Sequence, residues 1–337
     1  MKNESNYIEI NKATWNKKTA VHVGSDFYDN ENFIKGKCSL NEIELNLLGD
    51  VSGKSILHLQ CHFGQDTISL TRLGAKVTGV DLSDKAIETA QQLAIKTNSE
   101  SQFICTDIYN LPQHLNQKFD IVFTSYGTIC WLPDLDKWAG VVAHFLKPNG
   151  KLIMADFHPT LWMYDDDFQF IQHNYFNDAP IIENFEGTYA DKNAPITQDC
   201  VTWNHPISEL INNLIKHHLS INSFHEFDYS PYNCFNKTIA VAPGKYRIEH
   251  LGNKLPMVYA LVAQKNENAK LVENKNSRNG HSSDAEHKHE SDQTGGAPKQ
   301  KRPEQDVAKV EVLTDLDEAL VKANKTKKPV FVYVFDS

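Results

Sequence analysis

The sequence predicts an α/β protein with a doubly wound parallel sheet and helices on both faces. Short apolar segments alternate with segments of helical periodicity between residues 53 and 155. Residues that favour helix starts and turns separate these segments. Apolar residues make up 40% of the 337-residue chain, which is enough to build a large core. These three observations together predict the fold class.

The elements of the first half follow one another in strict alternation. Ser83 can cap a helix because its hydroxyl can accept a backbone N–H, and Ile87, Ala90 and Ala94 share one face of that helix. The turn residues 148–150 predict the end of the helix before them. The predicted elements are strand 53–59, helix 66–73, strand 75–80, the helix after Ser83, strands 102–105 and 119–124, helix 135–145 and strand 151–155.

The second half of the main domain, which we predict to span residues 1–265, is less regular. Residues 158–207 form a long insertion rich in aromatic side chains, predicted to be a lid or substrate-recognition segment because long loops in compact domains are usually functional. A helix at 208–217 and strands at 219–227 and 256–262 complete the predicted domain.

Composition changes after residue 265. Residues 266–305 contain no aromatic side chain and are predicted to be a disordered polar linker. Residues 306–337 predict a short β-α-β tail that resembles the beginning of a thioredoxin-like domain. That family's Cys-x-x-Cys pair is absent, so no redox activity follows from the resemblance. Whether the tail packs on the main domain or is a truncated piece stays open.

Charge and composition exclude several functions. The formal net charge of −9 argues against a protein that binds a nucleic-acid backbone. No apolar run approaches the length of a membrane helix, and residues 1–18 lack the apolar centre of a secretory signal. The six cysteines are scattered without a metal-binding spacing, so no metal is expected. We therefore expect a cytoplasmic protein with a small-molecule substrate.

Three residues follow the first three strands at the edge where parallel sheets bind ligands. Gly64 lies in the turn after the first strand, Asp81 ends the second strand 17 residues later, and Asp107 follows the third. A carboxylate at position 81 can accept both hydroxyls of a ribose. The Gly-x-Gly-x-x-Gly fingerprint of dinucleotide-binding proteins is missing, which disfavours a pyrophosphate ligand.

The sequence resembles class I S-adenosylmethionine (SAM)-dependent methyltransferases over roughly residues 5–265. The resemblance rests on Leu57-His-Leu-Gln-Cys-His-Phe-Gly-Gln-Asp-Thr67, Val80-Asp-Leu-Ser83, Asp107-Ile108 and Phe119-Asp-Ile-Val-Phe-Thr-Ser-Tyr126. It implies a seven-stranded sheet with the last strand antiparallel, and SAM as the cofactor. His58 stands where many members have an acid, and two positions usually filled by glycine carry larger residues, Gln60 and His62.

The resemblance also implies a set of cofactor-binding residues. Asp81 and Leu82 would bind the ribose, and Asp107 and Ile108 the adenine. The loop after the first strand would lie under the methionine part of SAM, and Ser125 at the end of the fourth strand would complete the site. The loop residues concerned are Gln60, Cys61, His62 and Gly64.

The acceptor site is expected beyond the fourth and fifth strands. His158 is the first candidate for acid–base chemistry because imidazole titrates near neutrality, and a histidine bonded within the turn before Pro159 is the alternative. Tyr126 is the second catalytic candidate. Trp131, Tyr229 and Tyr232 are candidate substrate-binding residues, and the segment 15–29 is expected to cover the cofactor.

The reaction predicted from these residues is methyl transfer from SAM to an oxygen, nitrogen or sulfur atom of a small molecule. Methyl transfer requires mainly alignment of the acceptor and exclusion of water. Two alternatives stay open: a non-catalytic protein that binds SAM or a partner with an altered site, and an NAD-dependent oxidoreductase.

Overall fold

The computed structural model describes residues 6–176 and 179–267, so the predicted linker and tail lie almost wholly outside the described residues. A seven-stranded sheet forms the centre of the domain, with strand order β3-β2-β1-β4-β5-β11-β8. Strand β11 runs antiparallel to both of its neighbours, and the strands from β3 to β5 are parallel. The predicted fold class is confirmed. The sheet strands are β1 (Ser55–Leu59), β2 (Lys76–Asp81), β3 (Gln102–Cys105), β4 (Phe119–Ser125), β5 (Leu146–Phe157), β8 (Leu219–Phe227) and β11 (Val258–Lys265).

Helices cover both faces of this sheet. Ser83 caps α5 as predicted, because its Oγ accepts the backbone N–H of Ala86 at 3.0 Å. The helices are α1 (Tyr7–His22), α2 (Asn30–Ile34), α3 (Glu42–Leu48), α4 (Gln65–Arg72), α5 (Asp84–Lys96), α6 (Leu111–His114), α7 (Leu135–Phe145) and α8 (Ile207–Lys216). Within the described ranges, the structure contains no helix that is both long and apolar enough to cross a membrane.

The core consists of the two faces of the sheet and the helices against them. Trp138 and Phe145 of α7 are fully buried on one face with Val122 of β4. On the other face, Ile56 and Phe123 pack with Leu70 of α4. The inner strands are buried on both sides, which explains their nearly continuous apolar sequences.

Two local predictions differ from the structure. Helix α7 ends at residue 145 as predicted, but residues 148–150 lie within the long strand β5 and not in a separate turn. The predicted insertion contains an antiparallel hairpin, β6 (Ile181–Glu186) with β7 (Thr197–Thr202), and a second hairpin follows β8, formed by β9 (Thr238–Ala242) and β10 (Lys245–Ile248). Periodicity alone did not reveal either hairpin, because these short strands pair with each other and lie outside the main sheet.

Helix α1 connects the hairpin β6–β7 to the layer of the main sheet. Asn11 pairs with the backbone of Val201 through both polar atoms of its side chain, at 2.8 and 3.0 Å. One turn and a half later, Asn16 accepts the Ser83 hydroxyl at 2.6 Å and donates to Asp84 at 3.0 Å. Helix α1 is therefore fixed at both sides, with its middle part facing the carboxyl ends of the strands.

Candidate functional site

A cavity of about 800 Å³ lies at the carboxyl ends of the parallel strands. Its floor consists of the segments that follow β1, β2, β3 and β4, and its cover consists of α1 and the hairpin β6–β7. Of the predicted site residues, the structure brings most to this one cavity: Gln60, Cys61, His62, Gly64, Asp81, Leu82, Asp107, Ile108, Ser125, Tyr126, Trp131 and Tyr232.

The loop after β1 has an unusual backbone. Gln60 and His62 adopt φ angles of 54° and 50°, and Gly64 adopts 85°. This is the left-handed region that normally favours glycine. At Gly64 a Cβ atom would lie 2.7 Å from the ring of Phe103, so glycine is required by both conformation and space. The backbone of the loop therefore adopts φ angles typical of glycine even at Gln60 and His62, which carry large side chains.

Asp81 is buried at the end of β2 beneath this loop. Its two carboxylate oxygens accept the backbone N–H groups of His62 at 2.8 Å and Ser83 at 2.9 Å. Burial raises the pKa of Asp81 to about 6, although these hydrogen bonds oppose the shift. A carboxylate has about four acceptor positions, so the two remaining ones can accept the two hydroxyls of a ribose.

Asp107 and Ile108 lie at the end of the cavity next to β3. The Asp107 carboxylate accepts the backbone N–H groups of Tyr109 at 2.9 Å and Asn110 at 3.2 Å. Ile108 is buried and belongs to the main core cluster while also lining the cavity. This end therefore offers an apolar surface bordered by a carboxylate that is fixed by its own turn.

Three buried polar atoms at the loop have no hydrogen-bond partner among the described residues: Oε1 of Gln60, Nδ1 of His62 and Nε2 of His22. The two histidines bond to each other, with His22 Nδ1 2.9 Å from His62 Nε2. Burial lowers the pKa of both imidazoles, that of His22 to about 3, so both are neutral near pH 7. An unpaired buried polar atom costs free energy, and a bound ligand can remove this cost by forming the missing hydrogen bond. Such atoms are therefore typical of a binding site.

Two buried carboxylates bond to predicted site residues, and one of them, Asp66, lines the cavity. Glu44 accepts the hydroxyl of Tyr126 at 2.8 Å, and Asp66 accepts the hydroxyls of Ser39 at 2.6 Å and Ser125 at 3.2 Å. Burial raises the pKa of both carboxyl groups. Tyr232 joins this group, because its ring lies 5.1 Å from that of Tyr126. The predicted residues Ser125, Tyr126 and Tyr232 thus surround two acidic groups that could accept a proton.

Two predicted site residues do not line the cavity. His158 is 4% exposed, and its ring nitrogens contact Thr160 at 2.9 Å and Glu226 at 3.0 Å. The backbone N–H of Thr160 also donates to Nδ1 of His158 at 3.2 Å, so the histidine is bonded within the turn at Pro159. Tyr229 packs against Phe227 instead. The partners of the two side chains lie on other strands, Glu226 of β8 for His158 and Lys245 of β10 for Tyr229.

The structure adds cavity residues that the sequence motifs did not indicate. Lys18 and Tyr28 come from the N-terminal segment, Asp66 from α4, and Tyr189 from the insertion. Tyr28 and Tyr189 are bonded through their hydroxyls at 2.6 Å. The sequence predicts that segment 15–29 covers the cofactor, and the aromatic residues of this segment were the signal that could have indicated Tyr28.

Comparison with known proteins agrees with this geometry. Residues 56–150 match the family model described as a methyltransferase domain. The chain contains a methyltransferase domain. Among curated proteins, the ubiquinone biosynthesis O-methyltransferase of Nitrosococcus oceani is 28% identical over 137 residues, which are 40% of this chain and 58% of the relative. The corresponding protein of Idiomarina loihiensis is 26% identical over 137 residues, 40% of this chain and 56% of the relative.

The chain thus spans little more than half the length of these curated relatives. A solved structure described as a SAM-dependent methyltransferase from Listeria monocytogenes is 22% identical, with a TM-score of 0.51, and covers 66% of this chain and 95% of the other. The methyltransferase domain therefore has the fold of SAM-dependent methyltransferases. The resemblance to class I methyltransferases noted from the motifs is confirmed.

Proposed function

We propose that the protein is a SAM-dependent methyltransferase that acts on a small molecule, with a hydroxyl oxygen as the favoured acceptor. The observation that carries the proposal is the buried Asp81 carboxylate, which keeps acceptor positions free toward the cavity beside a glycine-like loop. The name of the matched relatives, O-methyltransferase, supports oxygen as the acceptor atom.

The residues present fit SAM by their chemistry. Asp81 would accept the ribose hydroxyls, and Leu82, Asp107 and Ile108 would border the adenine. The unpaired atoms Gln60 Oε1 and His62 Nδ1 would bond to the methionine part. When bound, SAM supplies a methyl group already activated by the positive sulfur. The chain then needs only to orient the acceptor and to exclude water.

Acceptor orientation is assigned to the opposite side of the cavity. Tyr126 and Tyr232 present aromatic faces and hydroxyls there. A hydroxyl acceptor loses a proton during transfer, and Asp66 is the group we assign to receive it. Asp66 lines the cavity and is held by two serine hydroxyls, and burial raises its pKa toward the range of an effective base. His158 has no part in this assignment because it does not line the cavity.

The experiment combines binding and turnover. Calorimetric titration with S-adenosylhomocysteine tests the cofactor site, and transfer of a labelled methyl group from SAM to a panel of phenols, amines and thiols tests the reaction. Asp81→Asn should weaken S-adenosylhomocysteine binding, whereas the control Glu88→Gln, exposed on α5, should not. Absence of binding to the wild type would refute the proposal. Binding without turnover across the panel would favour the non-catalytic alternative.

A further inference from the structure

Lys18 is a buried lysine inside the cavity. It lies on α1 and is 8% exposed, and its side chain lines the cavity. The ammonium contacts two tryptophan rings, 4.9 Å from the centre of Trp15 and 4.9 Å from the centre of Trp131. The two rings are themselves in contact, with centroids 5.2 Å apart. The ammonium therefore packs against a pair of adjacent aromatic rings.

Aromatic faces attract a cation but do not replace hydrogen bonds. Within residues 6–176 and 179–267, Lys18 forms no side-chain hydrogen bond and no salt bridge. An ammonium has three donors, and burying it without an anion is strongly unfavourable. Accordingly, burial lowers the pKa of Lys18.

The groups around Lys18 cannot neutralise it. The groups that favour its charge are the thiols of Cys200 and Cys130, and burial raises the pKa of each thiol, so both are uncharged. The imidazoles of His22 and His62 also interact with Lys18, and both are neutral. None of these four groups supplies a negative charge that could pair with the ammonium.

Three buried carboxylates in or next to the cavity already have partners of their own. Asp81 accepts two backbone N–H groups, Glu44 accepts the Tyr126 hydroxyl, and Asp66 accepts two serine hydroxyls. None of the three forms an ion pair with Lys18. Among the residues that the structure describes, Lys18 therefore has aromatic neighbours but no carboxylate as a partner.

We propose that Lys18 binds the carboxylate group of a small molecule in this cavity. The inference rests on the proposed function, and the carboxylate has two possible sources: the amino-acid part of SAM or an acidic acceptor. A carboxylate fits better than a doubly charged phosphate, because a single ammonium beside two aromatic rings matches one negative charge. Trp15 and Trp131 would exclude water from this ion pair and thereby strengthen it.

Binding measurements with three ligands distinguish the two sources. S-Adenosylhomocysteine carries the amino-acid carboxylate, whereas 5′-methylthioadenosine lacks the amino-acid part. Benzoate and benzamide, titrated into the S-adenosylhomocysteine complex, test an acidic acceptor. Lys18→Met keeps the length and apolar stem of the side chain. Lys17→Met is the matched control, since Lys17 is the exposed neighbour that donates to the backbone of Thr197 and does not line the cavity.

If the carboxylate belongs to SAM, Lys18→Met weakens S-adenosylhomocysteine binding by about 10- to 100-fold and leaves 5′-methylthioadenosine unchanged. If it belongs to the acceptor, both nucleoside affinities stay unchanged, and the preference of the complex for benzoate over benzamide is lost. Lys17→Met should alter none of these values.

The inference would be overturned if each ligand bound with the same affinity to the wild type and to Lys18→Met. An equal loss for S-adenosylhomocysteine and 5′-methylthioadenosine would also overturn it, because that result indicates a structural role. Lys18→Gln provides a second uncharged variant should the methionine variant not fold. A wild type that binds neither nucleoside would refute the proposed function itself, which separates the two failures.

Discussion

Asp81 gives the affinity for S-adenosylhomocysteine a defined pH dependence. Burial raises the pKa of Asp81 to about 6 in the free protein. The ionised carboxylate can accept two ribose hydroxyls beside the two backbone N–H groups that it already accepts. The protonated form has fewer acceptor positions and no charge. Lowering the pH through this pKa should therefore weaken binding.

The magnitude follows from the titration of one group. With a pKa of about 6, Asp81 is about nine-tenths ionised near pH 7 and about one-tenth ionised near pH 5. If only the ionised form binds, the dissociation constant rises by about tenfold between these values. Asp81→Asn should weaken binding by about 100-fold, or about 2.8 kcal/mol, because charge-assisted hydrogen bonds to the ribose are lost.

Calorimetric titration of the wild type, Asp81→Asn and the control Glu88→Gln between about pH 5 and pH 8 measures this effect. The control should follow the wild type, and the asparagine variant should lose most of the slope. Any slope that remains reports the buried carboxyl groups of Glu44 and Asp66, whose pKa values are also raised. A wild-type affinity that is constant over this range, or an equal slope in Asp81→Asn, would refute the reasoning.

Three further predictions concern stability and the roles of single residues. Gly64→Ala should lower the free energy of unfolding by about 2–4 kcal/mol, because the new Cβ adds an overlap with Phe103 to the cost of a positive φ. Gly53→Ala, which has a positive φ but nothing within 4 Å, should cost only about 1 kcal/mol, and equal losses in urea unfolding would contradict the steric argument. Ser83→Ala should cost about 1 kcal/mol through loss of the helix cap, whereas an unchanged urea midpoint would mean that the cap is not needed. His158→Gln should lower stability by about 1 kcal/mol and leave the S-adenosylhomocysteine affinity and methyl transfer unchanged; a stable variant without transfer activity would return His158 to the reaction.

The parts of the fold that could be predicted are those with local signals. The strands at 102–105 and 219–227 have the predicted bounds, because turn residues delimit short apolar runs at both sites. The hairpins β6–β7 and β9–β10 were not predicted, since their strands are stabilised by pairing with each other and the apolar residues of β6 and β9 are not buried in the core. Propensity is a weak signal for such exposed strands.

The same division holds for the site. Gly64, Asp81 and Asp107 could be named in advance because each follows a predicted strand, and the ends of parallel strands meet at one edge of the sheet. His158 also follows a strand, yet its side chain bonds to Glu226, a residue 68 positions later in the chain. Position after a strand determines which edge a residue reaches but not where its side chain points.

The sequence by itself determined the sheet, its order of elements and the carboxylates at its edge, because each depends on residues close together in the chain. Only the tertiary structure decided how the cavity is closed and which side chains meet inside it. Lys18 meets Trp131, and Glu44 meets Tyr126 across 82 positions of sequence. Such contacts arise from the packing of α1 and α3 over the sheet, and no local pattern of residues carries that information.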